Sequence, residues 1–400
     1  MGERVMNKTI ESLKKEHCTG CKACGDVCPV KAIEFYYAED GFWFPKINHE
    51  KCIKCGLCYK RCPSLNNIQN PNESVLQCYG VKSKNEENRY NSTSGGFFTE
   101  LANKWIEDGG IVIGAAYNEK HLVFHTYAST KEEIKKLRQS KYVQSDTSTI
   151  YKRTKEFLDQ DKKVLFCGTP CQVEALLLFL NKRYENLLTL DFVCCGICSP
   201  GIYEMYLKEL EHQYKSKITK VWFKNKEDGW NRIGTRIEFS NGKHYFKIGS
   251  RDLFMTSFVI DALSMRLSCE ECKYRKLPHN SDIMLGDFWG IDKVNADFDD
   301  NMGVSAVLIN SQEGIEIFES IKNKLDYFST TKEDISKGNF TIYKQKNVNP
   351  NRNKFIELTY SHGFKKAMSK YSSYKGLKKL KIDLIYYLTK FKRRLRRRDK

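Results

Sequence analysis

The chain has 400 residues, 40% hydrophobic and 12% aromatic, with a formal net charge of +18. That length predicts two or three units, and that apolar content excludes wholesale disorder. The longest apolar run, Ala175 to Leu180, is far short of a membrane span, and Met1 to Glu16 carries no apolar stretch for a signal peptidase, so a cytoplasmic protein is expected.

The first segment is cysteine-dense. Cys18, Cys21, Cys24 and Cys28-Pro29 repeat as Cys52, Cys55, Cys58 and Cys62-Pro63. Sixteen cysteines without a secretion signal favour metal ligation over disulfides. Thiolates at i, i+3 and i+6 let one loop wrap three irons of a 4Fe-4S cubane, and in the bacterial ferredoxin spacing the fourth cysteine ligates the other cluster. The expected sets are Cys18, Cys21, Cys24 and Cys62 for one cluster, and Cys52, Cys55, Cys58 and Cys28 for the second. Lys22, Lys31, Lys54, Lys60 and Arg61 lie close enough in sequence to offset cluster charge. Two structural zinc sites are the alternative, but zinc wants four ligands from two pairs and leaves the third cysteine of each run surplus.

A polar linker, Ser64 to Ser74, precedes alternating helix and strand signals. Helices are predicted over Phe97–Glu107, Lys131–Arg138, Lys152–Asp159, Gln172–Leu180 and Gly201–Tyr214. Strands are predicted over Ile111–Tyr117, Lys163–Cys167, Leu187–Cys194, Ile218–Lys224, Ser281–Leu285 and Ser305–Ile309. Thr235–Ile248 reads as two strands turned at Asn241-Gly242. The last stretch, Tyr371 to Lys400, is a basic amphipathic helix candidate. Lys375 to Lys400 carries twelve Lys/Arg against two Asp, a net +10, so basicity is a tail property and no nucleic-acid partner is expected of the body. Leu377, Leu380, Leu384, Leu388, Phe391 and Leu395 recur at helical steps, which reads as an interfacial helix peripheral on the inner membrane face. A solvated helix docked on the body and a nucleic-acid patch are the alternatives.

Four stretches of the body carry chemistry. Ser92 to Gly96 precedes a helix, where backbone N–H groups can hold a phosphate, although plain capping explains such a loop too. Arg138 to Ser145 is a polar turn with one aromatic face. Phe166 to Gln172 follows a buried strand and opens a helix, where α/β folds place ligands. Cys269 and Cys272 form a CxxC pair just before Asp282 to Asp287. No G-x-G-x-x-G follows a predicted strand, which argues against an ordinary nicotinamide site.

With these motifs (Ser94-Gly95-Gly96, Ser140-Lys141-Tyr142-Val143, Gly168-Thr169-Pro170-Cys171-Gln172, and Cys269/Cys272 with Asp282 to Asp287) the chain resembles the family of coenzyme F(420) hydrogenase and dehydrogenase beta subunits, in its form with a fused ferredoxin head. The resemblance implies an α+β and α/β fold: a small bacterial-ferredoxin-like head (1–70), a mixed α/β flavin-binding body in two parts (75–160 and 161–345), and a basic amphipathic tail (346–400). It implies FAD held by Ser94, Gly95, Gly96, Ser140, Lys141, Tyr142, Gly168, Thr169 and Gln172, although Lys141 and Tyr142 read equally as surface residues. It also implies a third 4Fe-4S cluster on Cys171, Cys194, Cys269 and Cys272. Cys195 or Cys198 are alternatives to Cys194, and Cys171 and Cys194 can also be read as buried apolar side chains. The implied activity is that of an iron-sulfur flavoprotein oxidoreductase. It takes electrons from ferredoxin or another redox protein and delivers them to a two-electron acceptor, a deazaflavin-like coenzyme or an intermediate of surface polysaccharide biosynthesis. The alternative is an electron-transfer subunit of a larger complex with no substrate of its own.

Overall fold

The computed structural model describes residues 8–68 and 71–398, the side chains of Ser250 and 389–398 excepted. In the cysteine-rich head, β1 (Ile33–Tyr37) and β2 (Trp43–Ile47) pair antiparallel, Ile33 opposite Ile47 and Tyr37 opposite Trp43. The apolar cluster beneath them consists of Ile10 and Ile47 with Cys24, Cys58 and Cys62. So few apolar side chains make a thin core, the kind that metal ligation usually completes.

The body begins with β3 (Gln77–Ser83), α1 (Phe97–Glu107), β4 (Ile111–Tyr117), β5 (Val123–Ala128), α2 (Lys131–Leu137) and α3 (Ile150–Asp159). It continues with β6 (Val164–Cys167), α4 (Pro170–Leu180), β7 (Leu187–Phe192) and α5 (Pro200–Tyr214). Then follow β8 (Ile218–Asn225), β9 (Gly234–Phe239), β10 (His244–Ile248), β11 (Ile283–Asp287), β12 (Ser305–Ile309), α6 (Gln312–Ile321) and β13 (Leu325–Ser329). The chain closes with α7 (Arg352–His362), α8 (Phe364–Tyr371) and α9 (Gly376–Arg398).

Eight strands form one mixed sheet in the order β13-β3-β12-β11-β7-β6-β4-β5. Its centre, β11-β7-β6-β4, is parallel, and antiparallel strands extend it on both sides. Side-chain alternation splits the core. Val112, Leu165, Leu188 and Ile283 pack with Phe97, Leu101, Ile134 and Phe318 of α1, α2 and α6. Ile113, Val164 and Phe166 pack the other way, on Tyr151, Phe157, Val173 and Leu176 of α3 and α4. A smaller sheet, β10-β9-β8, shares its core with α5, α7 and α8. The helix starts follow from local chemistry: Thr130 and Glu133 close a capping box on α2, and Thr169 and Gln172 close another on α4 with Pro170 in its first turn.

The predicted helix Phe97–Glu107 and strands Ile111–Tyr117 and Ser305–Ile309 appear with those bounds. The C-terminal stretch differs from expectation. Residues 352–371, grouped in the sequence with the basic tail, form two helices whose Phe355, Phe364 and Met368 lie in the same apolar cluster as Tyr206 and Phe254. The basic helix begins only at Gly376, after a turn in which Asp261 Oδ2 accepts from Ser372 Oγ and Ser373 N. Among the described residues no helix is long and apolar enough to cross a membrane.

The head does not hang on its linker. Lys22 Nζ pairs with Asp146 Oδ1 at 2.8 Å, and Gln144 Nε2 donates to Thr19 O and Gly20 O, each at 3.1 Å. Thr147 Oγ1 donates to Cys21 O at 2.6 Å. Asp26 of the head caps α3 of the body, accepting from Thr149 N at 2.8 Å and Tyr151 N at 3.0 Å.

Candidate functional site

The parallel strands β6, β7 and β11 end on one edge of the sheet, where an α/β fold leaves a crevice. Beyond β6 comes the turn 168–171 that opens α4. Beyond β7 comes Cys194, and β11 ends on Asp287. Two cavities meet there: a chamber of about 540 Å³ and a smaller one of about 180 Å³.

The smaller cavity is lined by Cys171, Cys194, Cys269 and Cys272, together with His17, Thr19 and Ser64 from the head. Burial pushes all four thiols up, Cys269 to about 11, and neighbouring thiols raise three of them further: Cys171 feels Cys272 and Cys269, Cys194 feels Cys195, Cys269 and Cys171, and Cys269 feels Cys272. Thiolates packed this closely in a buried place need a positive centre, which a cluster's irons supply. Tyr274 Oη and Arg275 Nε are buried at this cavity without a hydrogen-bond partner. The donor set therefore fits a 4Fe-4S cluster.

Cys195 lines the chamber and not the cysteine cavity, and Cys198 is fully buried with Sγ 3.2 Å from Ser264 Oγ. Cys167 also lines the chamber. Cys78 packs beside Met284, Val304 and Leu308.

In the head, Cys18, Cys21, Cys24 and Cys62 form one electrostatic group. Burial, with Cys62 and Cys18, raises Cys21 to about 12, and burial with Cys21, Cys18 and Cys62 raises Cys24. Cys28, Cys52, Cys55 and Cys58 line a separate small cavity, and Cys58 is raised by burial and then by Cys55 and Cys28. This is the crossed pairing in which each run lends its fourth cysteine to the other. Cys21 of the head is also close enough to raise Cys171 of the body.

The chamber is lined by Ser94, Gly96, Ser140, Lys141, Tyr142, Gly168, Thr169 and Gln172. Its volume lies within the range of cofactor pockets, about 300–1,000 Å³. Gly95 stands behind it: a Cβ there would come 2.1 Å from Val81 O and 2.6 Å from Ser305 N, so only glycine lets this loop lie against β3 and β12. The hydroxyls of Ser92 and Ser94 are turned away, to Asn88 O and Val304 O, and Phe97 and Phe98 of the first turn of α1 line the chamber. Thr93 Oγ1 accepts from Ser140 N at 2.8 Å and so clips two lining loops together. Gln172 spends its Oε1 on Thr169 N at 2.9 Å.

Lys141 is half-buried rather than superficial. Its Nζ donates to Arg138 O at 2.8 Å beyond the end of α2, and burial lowers it to about 7. Tyr142 lies against Phe223 and Phe258, and burial raises it to about 12. Sequence reasoning singled out neither His125 nor Lys224. His125 is held neutral by burial, lowered to about 4, with Nδ1 2.6 Å from Ser145 Oγ and Nε2 3.2 Å from Cys167 O. Lys224 and Asp287 form a buried ion pair at the chamber wall beside Tyr142 and Trp289. Burial alone would lower Lys224, but Asp287 and Tyr142 outweigh it and push it up. Asp287 lay within a quoted motif, whereas nothing in the sequence distinguished Lys224. Two lining atoms, Arg138 Nε and Thr235 Oγ1, are buried without a partner. Unpaired donors beside a helix N-terminus fit an anionic, oxygen-rich group such as a dinucleotide cofactor.

Two family descriptions match the chain. Residues 161–335 match the family described as the C terminus of the coenzyme F(420) hydrogenase/dehydrogenase beta subunit, and residues 17–66 match a 4Fe-4S dicluster domain. An F(420)H(2) dehydrogenase subunit of Methanosarcina mazei is 21% identical over 335 residues, covering 81% of this chain and 88% of that protein. A subunit of the Na(+)-translocating ferredoxin:NAD(+) oxidoreductase complex of Acetobacterium woodii is 36% identical over 64 residues, 16% of this chain and 18% of that protein. A chain of the xenon-derivatised F(420)-reducing [NiFe] hydrogenase complex from Methanosarcina barkeri overlays with a TM-score of 0.43 at 19% identity, over 75% of this chain and 93% of that one. The chain is an iron-sulfur protein of the oxidoreductase type, with a 4Fe-4S dicluster head and, over residues 161–335, a domain that matches the C terminus of coenzyme F(420) hydrogenase/dehydrogenase beta subunits.

Proposed function

We propose that this protein is an iron-sulfur flavoenzyme that takes single electrons at its head and exchanges pairs of them with a small acceptor in the chamber. The observation that carries the reading is that Cys171 and Cys194 line both cavities, so the wall of the third cysteine site is also the wall of the chamber. Three 4Fe-4S clusters and one FAD, when bound, supply the conversion between one-electron and two-electron chemistry. The residues that would hold FAD are the first-turn amides behind Ser94 and Gly96, the Ser140–Tyr142 turn, and the loop Gly168–Thr169 with Gln172.

The chain's own groups serve three purposes there. Lys141, fixed on carbonyls and lowered by burial, places an amine of weak basicity at the chamber. Lys224 and Asp287 hold a fixed dipole beside Tyr142, whose hydroxyl stays protonated at neutral pH. Phe98, Val259, Leu285 and Trp289 contribute to a largely apolar wall that limits water. The acceptor in this reading is a deazaflavin-like coenzyme or a precursor of surface polysaccharide, and the donor is ferredoxin or another small redox protein.

Helix α9 favours an acceptor at a membrane. It is latched to the body by Arg251 Nε on Asp383 Oδ1 at 2.6 Å and by Arg251 stacked 4.0 Å from the Tyr386 ring. Leu377, Leu380, Leu384 and Leu388 remain exposed, Leu377 by 85%, among lysines and arginines. Phe391 and Leu395 lie outside the described side chains. An apolar stripe edged by cations suits an anionic lipid surface. A second reading, an electron-transfer subunit within a larger complex, is favoured by the match to a dehydrogenase subunit.

Anaerobic purification tests the main proposal: about twelve irons and one FAD per chain are expected, and about eight irons without flavin would refute it. Size-exclusion of the native protein tests the second reading, a stoichiometric complex supporting it. Vesicles of anionic and of zwitterionic lipid test the tail, which should bind only the former and only while residues 376–400 are present.

A further inference from the structure

Three strongly buried cations sit where head meets body or near it, and they are not alike. Lys22 faces the carboxylate of Asp146 at 2.8 Å, and Arg352 faces that of Asp40 at 2.8 Å. Arg266, 1% exposed, has only neutral acceptors among the described residues: Nε donates to Cys18 O at 2.6 Å, Nη1 to Gln144 Oε1 at 2.9 Å and Nη2 to Trp43 O at 3.2 Å. Its guanidinium also lies 4.3 Å from the Phe44 ring and 4.9 Å from that of Phe42. Arg275 repeats the pattern at the body's cysteine cavity. Its Nη1 donates to the carbonyls of Thr341 and Lys344, and its Nε, buried at that cavity, has no partner.

A buried guanidinium held by neutral oxygens alone is costly, because carbonyl dipoles do not replace a counter-anion. The missing anion must come from something that occupies the cysteine sites. Arg266 stands between two of them: it binds the carbonyl of Cys18 with its side chain and accepts from Cys269 N at 3.1 Å with its own carbonyl. Gly20, at a φ of +70°, makes the approach feasible, since a Cβ there would lie 2.8 Å from the guanidinium carbon of Arg266. A ferredoxin-type cluster with four thiolate ligands is an anion, and it gains one more negative charge on reduction.

We infer that Arg266 and Arg275 are built-in countercharges that set the reduction potentials of the inner head cluster and the body cluster. This rests on the three-cluster reading above. They are positioning residues, touching ligand loops and cavity walls and leaving the iron to the cysteines. Each stabilises the reduced form of its cluster more than the oxidised form, so removing the charge lowers the potential. Because Arg266 serves both clusters, it raises the two together and keeps the inner relay level.

The test is an EPR-monitored redox titration of the whole chain with its full iron complement. Arg266→Gln should make both inner clusters at least tenfold harder to reduce, about 59 mV for a one-electron couple. Arg275→Gln should do so for the body cluster alone. The outer cluster on Cys28, Cys52, Cys55 and Cys58 should not move in either, and Arg266→Lys should stay near wild type. Fully loaded glutamine variants with wild-type potentials would overturn the inference. If the glutamine variants lose iron, retention by the lysine variants still supports a charge role, whereas equal loss in both overturns it. A wild-type chain short of about twelve irons would instead count against the three-cluster reading itself.

Discussion

Replacing Cys194, Cys195 and Cys198 in turn by alanine separates one ligand from two bystanders. The three lie within five residues on the stretch that leaves β7, yet their surroundings differ. Cys194 lines the cysteine cavity, is raised by its neighbours Cys195, Cys269 and Cys171 as well as by burial, and accepts from Gly196 N at 3.4 Å. Cys195 lines only the chamber, and Cys198 is turned to Ser264 in the apolar core. Cys194→Ala should therefore remove one cluster of three, taking the chain from about twelve irons to about eight. The loss should leave the two head signals intact, because their ligands come from Cys18 to Cys62. Cys195→Ala and Cys198→Ala should keep about twelve irons. Cys195→Ala should alter the flavin spectrum instead, since it faces the chamber. Iron and sulfide assays with EPR on anaerobically prepared protein decide it. Full iron in Cys194→Ala, or a drop to about eight in Cys195→Ala, would refute the assignment.

Gly95→Ala should lower the melting temperature by an amount equivalent to about 1–3 kcal/mol and weaken flavin retention, because its Cβ meets backbone atoms of two strands; scanning fluorimetry with flavin assay checks both. Phe355→Ala should cost about 3–5 kcal/mol, since α7 lies in the core, whereas removing residues 376–400 should leave the melting temperature nearly unchanged. His125, lowered to about 4 by burial, binds its proton more tightly in the unfolded chain. Stability should therefore rise with pH between about 4 and 6.5, by an amount on the order of 3 kcal/mol. A melting series across that range, run beside His125→Gln, should show a flatter profile in the variant.

The parallel centre of the sheet was legible because β6, β7 and their helices carry continuous apolar runs between turn residues. Strands β3, β5 and β13 were not. β5 and β13 lie at the two edges of the large sheet, and β13 exposes Asp326, Tyr327 and Ser329, so the alternation that marks a strand is diluted. The eight head cysteines were readable because the spacing of each run encodes the wrapping of a cubane. The polar half of the site was hidden for a different reason. Lys224 meets Asp287 across 63 residues, and Arg266 meets Cys18 across 248. A buried cation has the same local sequence signature as a solvated one until the fold supplies its partner. Cys194 and Cys195 show the same limit at short range, since of these two consecutive residues beyond a strand end only Cys194 also reaches the cysteine cavity.

The way the head is held was not legible in the sequence, which showed only a polar linker after it. A ferredoxin domain on a polar linker could swing between donor and body. Here Ala23 and Cys21 join the apolar cluster of α3 and α4, and Asp26 caps a body helix. Gln144 is shared between the carbonyls of Thr19 and Gly20 on one side and the Arg266 guanidinium on the other. Releasing the head would uncover buried apolar surface and strand several polar groups at once, including a guanidinium with no acid to meet it. The inner cysteine set is therefore fixed against the body. The outer set lies beside an open rim, with Lys51, Ile53 and Lys54 exposed. On the proposed function a donor docks at that rim, and selection among donors falls to a small basic surface rather than to movement of the head.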